Sequence, residues 1–160
     1  MSQAHIEIPA SIQAEHEEIH GALVAATRAP GGVGEAARAL AEVLHPHFVR
    51  EEQIALPPLA LLAPLSRGDI SPEMRAVLPM TDALAAELPR MLEEHETIRA
   101  ATIRLGEVAR REGNDAVAAL AEKLTLHARA EEEVYYPAAI LVGELVRRRL
   151  GDEIEGTAKR

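Results

Sequence analysis

The chain has 160 residues, enough for one domain with a substantial core, and carries a formal net charge of −9. That negative charge argues against a general affinity for nucleic acid or for an anionic membrane surface. The absence of cysteine excludes disulfides, thiolate metal sites and a cysteine nucleophile. No apolar run approaches the ~20 residues that cross a bilayer, and no signal peptide is evident, so we expect a cytoplasmic protein.

The first half of the chain predicts two helices. Ala and Leu favour helix, and apolar residues recur at helical spacing in both segments. Helix one is predicted from about Ser11 to Arg28, where a glycine- and proline-rich segment, 29–34, ends it. Helix two is predicted from Glu35 to about Leu56, with a kink at Pro46 and an end at Pro57.

The second half begins with a connector and then repeats the pattern. Residues Leu59–Leu88 contain four helix-breaking residues, and Ser71-Pro72-Glu73 within them predicts the start of a short helix. Helix three is predicted from Pro89 to about Glu112, with a possible earlier start near Thr81. Helix four follows Gly113-Asn114-Asp115 and runs to about Tyr136.

After Pro137 we expect a short fifth helix to Leu150 and a frayed polar tail from Gly151. The prediction is an all-α fold: an antiparallel up-down-up-down four-helix bundle with a short connector helix and a short C-terminal helix. Residues 1–160 are expected to form a single domain whose core spans about 11–137.

A repeated motif links the two halves of the chain. The segment His47-Phe-Val-Arg-Glu51-Glu52-Gln-Ile-Ala-Leu-Pro57 aligns without gaps on His127-Ala-Arg-Ala-Glu131-Glu132-Glu-Val-Tyr-Tyr-Pro137. A further histidine precedes each segment, His16 by 31 residues in the first half and His95 by 32 in the second. The chain thus offers four imidazoles and two carboxylates from apolar helix faces.

This set of side chains indicates a metal centre. A His and a Glu at positions i and i+4 lie one helical turn apart and point the same way. Burying ionised Glu51 and Glu131 would cost several kcal/mol each unless a cation compensates their charge. Imidazole and carboxylate donors without sulfur suit iron, manganese or zinc, and two carboxylates can reach a pair of ions.

On His16, His47-x3-Glu51-Glu52, His95 and His127-x3-Glu131-Glu132, the chain resembles the hemerythrin-like (HHE cation-binding) family over about Ile12 to Pro137. The resemblance implies a non-haem centre of two iron ions with a bridging oxygen species, with manganese or zinc as other possible metals. By the same resemblance, His16, His47, His95 and His127 are expected to be terminal ligands, and Glu51 and Glu131 the bridges.

The motif departs from the oxygen-carrying members of that family. Those proteins have a second histidine one turn after the single histidine of the third helix, where this chain has Arg99. His20 lies one turn after His16 and is a candidate for the missing ligand, or else a core or interface histidine. The family's fourth-helix carboxylate corresponds to Glu132, but the internal repeat favours Glu131.

Other polar residues near the motif have plainer interpretations. His45 is expected to be exposed. The two tyrosines, Tyr135 and Tyr136, are expected to pack at the end of the bundle, although one of them could approach the site as a hydrogen-bond donor. Four further acids are expected on the surface, although two of them, Glu15 and Glu94, could instead orient an imidazole. The full set is Glu15, Glu52, Glu94 and Glu132.

We predict a di-iron protein that binds or senses dioxygen, peroxide or nitric oxide, with no nucleic-acid or membrane partner. Two alternatives stay open: a peroxide-decomposing or oxidase-type enzyme, and an iron-handling or regulatory module. Whether the protein is an enzyme, and what its oligomeric state is, the sequence leaves undecided.

Overall fold

The structure is a computed structural model that describes residues 5–152, and within this range it is all-helical with no strand. The all-α prediction is therefore confirmed. There are six α-helices: α1 (Ala10–Thr27), α2 (Gly31–Ile54), α3 (Leu62–Ser66), α4 (Leu78–Arg111), α5 (Asp115–Ala130) and α6 (Tyr136–Leu150). Two 3-10 helices, Pro57–Leu61 and Pro72–Val77, flank α3, and a π-helical turn, Glu131–Tyr135, joins α5 to α6.

The four long helices of the two halves pack around a shared apolar core. Helix α1 contacts α2 and α5, and α4 contacts α2 and α5, so the contacts form a closed ring. Aliphatic side chains such as Ile19, Leu40 and Leu105 are fully buried at its centre. Helix α6 extends this packing, since Ala139 lies against Leu84 and Met91 in a second apolar cluster. No helix in residues 5–152 combines the length and apolar character needed to cross a bilayer.

Helix α2 begins four residues earlier than predicted because a distant carboxylate caps it. Gly31 has φ of +71°, a conformation that glycine adopts without strain. The Glu112 side chain, at the far end of α4, accepts hydrogen bonds from the backbone N–H groups of Gly32 (2.9 Å) and Val33 (3.2 Å). These are N–H groups that a helix start leaves without internal partners.

Helix α4 begins at Leu78, so the later part of the predicted connector is helical. Pro79 lies in the first turn, where the missing N–H costs nothing. Pro89 lies inside the helix on an exposed face, as Pro46 does in α2. Burial of Leu84 and Met91 against α6 offsets the hydrogen bond that Pro89 removes. Ser71-Pro72-Glu73 opens a 3-10 helix, as expected of a short helix start.

The predicted break at Pro137 is also wrong, because the helical path continues through it. The backbone N–H of Tyr136 bonds to the carbonyl of Glu131, five residues earlier, which defines a π turn. Pro137 then lies in the first turn of α6, where proline is tolerated. Helix α6 ends at Leu150, as predicted. The part of the predicted frayed tail that follows Asp152 lies outside the described residues.

Candidate metal centre

Four imidazoles and two carboxylates converge inside the ring of long helices. His16 comes from α1, His47 and Glu51 from α2, His95 from α4, His127 from α5, and Glu131 from the first position of the π turn. All six are buried, none more than 3% exposed. They lie on the same helix faces as the aliphatic core, so they could not be solvated without disrupting the packing.

The six side chains form two groups. Within each group, the donor atoms lie within 4.8 Å of one another. One group contains His47, Glu51, His95 and Glu131; the other contains His16, His127 and Glu131. Glu51 also approaches the second group, its Oε2 lying 3.7 Å from Nε2 of His16. Both carboxylates therefore lie between two pairs of imidazoles.

Within each pair the imidazoles present the same ring nitrogen to each other. Nε2 of His47 lies 2.9 Å from Nε2 of His95, and Nε2 of His16 lies 3.1 Å from Nε2 of His127. Glu51 Oε1 is 2.9 Å from Nε2 of His47. Glu131 Oε1 is 2.6 Å from Nε2 of His127, so each carboxylate also touches the histidine of its own motif.

The opposite ring nitrogen of each histidine faces an acid on a neighbouring helix. Nδ1 of His47 is 2.7 Å from Glu94, and Nδ1 of His127 is 2.7 Å from Glu15. An ionised carboxylate can only accept a hydrogen bond, so each Nδ1 is the donor. The other two histidines show the same pattern. Nδ1 of His95 is 2.8 Å from Glu132, and Nδ1 of His16 is 3.4 Å from Glu52. These four acids are thus placed to accept from an imidazole, the alternative left open for Glu15 and Glu94, while their side chains stay partly exposed at the surface.

This arrangement leaves the centre in need of a cation. Without a metal ion, Nε2 atoms only 2.9 and 3.1 Å apart have to share protons with each other and with the carboxylates beside them, whereas with Nδ1 protonated each Nε2 is free to bind a metal ion. Two carboxylates lie between them, and Glu51 Oε2 is a buried oxygen without a hydrogen-bond partner in the part of the chain that the structure describes. Nitrogen and oxygen lone pairs converging in an apolar interior fit one or more transition-metal ions.

The electrostatics of the site agree with this geometry. Burial alone would raise the pKa of Glu51, but hydrogen bonds with His47 and His95 outweigh it and hold the pKa at about 2. Burial lowers the pKa of His47, yet Glu51 and Glu94 outweigh it and leave that pKa raised. For His127, burial prevails over Glu15 and the pKa is lowered.

Tyr136 lies in the site, which is the alternative left open for it and not the bundle-end packing that the sequence favoured. The residue is 1% exposed, and its hydroxyl, which has one proton to donate, lies within hydrogen-bond distance of Glu51 Oε1 and of Glu131 Oε2, the latter at 2.9 Å. Burial and the charge of Glu51 raise its pKa. The signal was in the repeat, which aligns Tyr136 with the apolar Leu56 and so places a polar group where the first half has none.

His20 does not join either group. Its side chain is exposed, with its ring 6.1 Å from that of the exposed His45. Arg99, one turn after His95, pairs with Glu132 at 3.3 Å and so supports the acceptor of His95. Glu132 contacts Nδ1 of His95, while Glu131 belongs to both donor groups.

Comparison with known proteins gives one result for this chain. A family model described as the hemerythrin HHE cation binding domain matches residues 7–139. Comparisons with curated proteins and with solved structures each gave no match. The matched residues span most of the chain and contain every member of the two donor groups. The chain therefore belongs to the hemerythrin HHE cation-binding domain family.

Proposed function

We propose that the protein is a non-haem di-iron protein that binds or senses dioxygen, peroxide or nitric oxide. The observation that carries the proposal is the pair of facing Nε2 contacts, 2.9 and 3.1 Å, with two buried carboxylates between them. Such an arrangement has two sets of converging nitrogen and oxygen donors and hence room for two ions. As part of the proposal, the ring of long helices is the antiparallel up-down-up-down bundle predicted above, in a single domain.

In this proposal each imidazole pair holds one ion. His47 and His95 bind the first, His16 and His127 bind the second, and Glu51 and Glu131 bridge them. His20 is left out because its side chain is exposed and lies outside both groups. Two iron ions would supply redox-active positions at which a small oxygen or nitrogen species binds.

The four outer acids serve this centre by fixing each imidazole. A hydrogen bond to Nδ1 holds the tautomer that leaves Nε2 free, sets the ring orientation and raises the basicity of the nitrogen. Because the acids carry charge close to the cations, they also offset part of the positive charge of two metal ions.

A second candidate, a peroxide-decomposing enzyme, is favoured by Tyr136. Its buried hydroxyl is a hydrogen-bond donor placed directly among the donor atoms. Turnover of hydrogen peroxide by the iron-loaded protein, measured by oxygen release, distinguishes this enzyme from a binding or sensing protein.

Anaerobic reconstitution with Fe2+ tests the leading proposal. We expect about two iron ions per chain by metal analysis, and a charge-transfer absorption after exposure to air or peroxide. The variant His47→Ala is expected to hold less iron, whereas His45→Ala, a change at an exposed histidine two residues away, is expected to hold as much as the wild type. Protein that stays metal-free after careful loading contradicts the proposal.

A further inference from the structure

The two imidazole pairs have different surroundings although the chain segments that form them are repeated. Leu56 N–H bonds to the Glu51 carbonyl at 3.0 Å, and Tyr136 N–H bonds to the Glu131 carbonyl, so both motifs end in the same five-residue backbone turn. Leu56 and Tyr136 are both buried. The repeat therefore places an apolar side chain at one of these positions and a phenol at the other.

The phenol lies beside the His47–His95 pair. Its oxygen is 3.3 Å from Nε2 of His47 and 3.1 Å from Nε2 of His95. It is 2.9 Å from Glu131 Oε2 and also contacts Glu51 Oε1. The Tyr136 oxygen is thus close to one donor atom from each of the four side chains in that group.

These distances match the spacing of atoms that share one metal ion. Donors roughly 2.1 Å from an ion and at right angles to each other are about 3.0 Å apart. An oxygen occupying the position of the ion itself would lie much closer to the two nitrogens. The phenolic oxygen therefore has the place of a neighbouring ligand.

We infer that Tyr136 supplies its phenolic oxygen as a further ligand to the ion held by His47 and His95. The inference rests on the proposed di-iron function and makes the two metal positions inequivalent. With Fe3+ the ligand is the phenolate, and its proton is released to solvent as the ion binds.

The other pair has a cleft beside it. His16 lines a cleft of about 240 Å³ whose other walls include Glu17, His20 and His45. Phe48 stacks on the His16 ring at 4.2 Å and narrows this cleft. The two pairs thus differ in their surroundings, with a buried phenol beside one and a cleft on the outer side of a histidine of the other.

Optical and resonance Raman spectra of the Fe3+-loaded protein test the inference. The wild type is expected to show a phenolate-to-Fe3+ charge-transfer band in the visible and resonance-enhanced tyrosinate ring vibrations. Tyr136→Phe keeps the ring and removes only the oxygen, so we expect it to hold two iron ions per chain and to lose both signals completely.

The neighbouring tyrosine provides the matched control. Tyr135 lies outside both donor groups, and Tyr135→Phe is expected to keep the band and the tyrosinate vibrations. Two iron ions per chain without these signals in the wild type, or signals that persist in Tyr136→Phe, overturn the inference and leave the di-iron proposal standing. A wild type that binds no iron overturns both.

Discussion

Glu51 is fully buried, and its lowered pKa makes the stability of the metal-free fold depend on pH. Hydrogen bonds from His47 and His95 hold its pKa at about 2, below the ordinary value of 4.5. The unfolded chain therefore binds a proton at higher pH than the folded one does. The contribution of Glu51 to stability is complete above pH 4.5 and is lost as pH falls toward 2.

We predict that chelator-treated protein loses on the order of 3 kcal/mol through this one group between pH 5 and pH 2. Urea unfolding at a series of pH values measures the loss. In Glu51→Gln the side chain has no proton to gain, so its stability should fall less steeply over the same interval. Parallel curves for the two proteins would show that Glu51 is not the group responsible.

The acids that accept a hydrogen bond from an imidazole Nδ1 should raise metal affinity without contacting the metal. Glu94 accepts from His47 at 2.7 Å, and Glu94→Ala removes that acceptor and frees the imidazole to turn. We expect metal affinity to fall about 10- to 100-fold, measured by competition with a chelator. Glu93 is exposed and adjacent, so Glu93→Ala is the control, and an equal loss in both variants would contradict a role for the imidazole contact.

The element that brings Tyr136 into the site is α6, and its position depends on a close approach to α4. Gly143 has no side chain, and a Cβ there would lie 2.1 Å from Thr81 Oγ1 and 2.6 Å from Thr81 Cβ. Both residues are buried, so neither can move into solvent. A glycine is required at this contact for packing.

We predict that Gly143→Ala destabilises the protein by about 1–3 kcal/mol, because overpacking must push α6 away from α4. Thermal or urea unfolding measures the effect. Gly21 in α1 has open space around it, so Gly21→Ala should instead stabilise by up to ~1 kcal/mol through helix propensity. If Gly143→Ala were also stabilising, the close packing of α6 on α4 would be refuted.

Helix boundaries were predictable from the sequence only where the signal is local. Gly113 and Asn114 mark the start of α5, and the Asn114 side chain does accept from the Val117 N–H. The start of α2 depends instead on Glu112, about 80 residues away, which no window of sequence contains. Pro137 predicts a helix end because its missing N–H usually ends a helix, but the π turn accommodates it.

At the scale of the whole molecule, the repeat predicted which six side chains lie close together. The histidines and glutamates have nearly the same spacing in the two halves of the chain, so the four long helices carry them at the same height along the bundle. Their outer acids and Tyr136 were harder to predict. Whether an acid beside a ligand reaches an imidazole on another helix depends on how the helices are rotated against each other. The phenol reaches the site only because the π turn and α6 continue the path of α5.

Because ligands come from both halves, metal binding should stabilise the folded molecule as a unit. An ion bound by the folded state alone, present at 1,000 times its dissociation constant, adds about 4 kcal/mol to stability. For a chain of this size that corresponds to a rise of roughly 10 °C in melting temperature. We predict such a rise on loading metal-free protein with Fe2+ under anaerobic conditions, followed by differential scanning calorimetry.

Two histidine variants make this last prediction specific. His127 is 3% exposed and belongs to a donor group, so His127→Ala should lose more than half of the rise in melting temperature on loading. His45 is exposed and belongs to neither group, so His45→Ala should keep the full rise. An equal rise in melting temperature in the wild type and both variants would place the stabilising ion elsewhere on the chain. A centre that lacks His127 should bind the ion less tightly than the wild-type centre does.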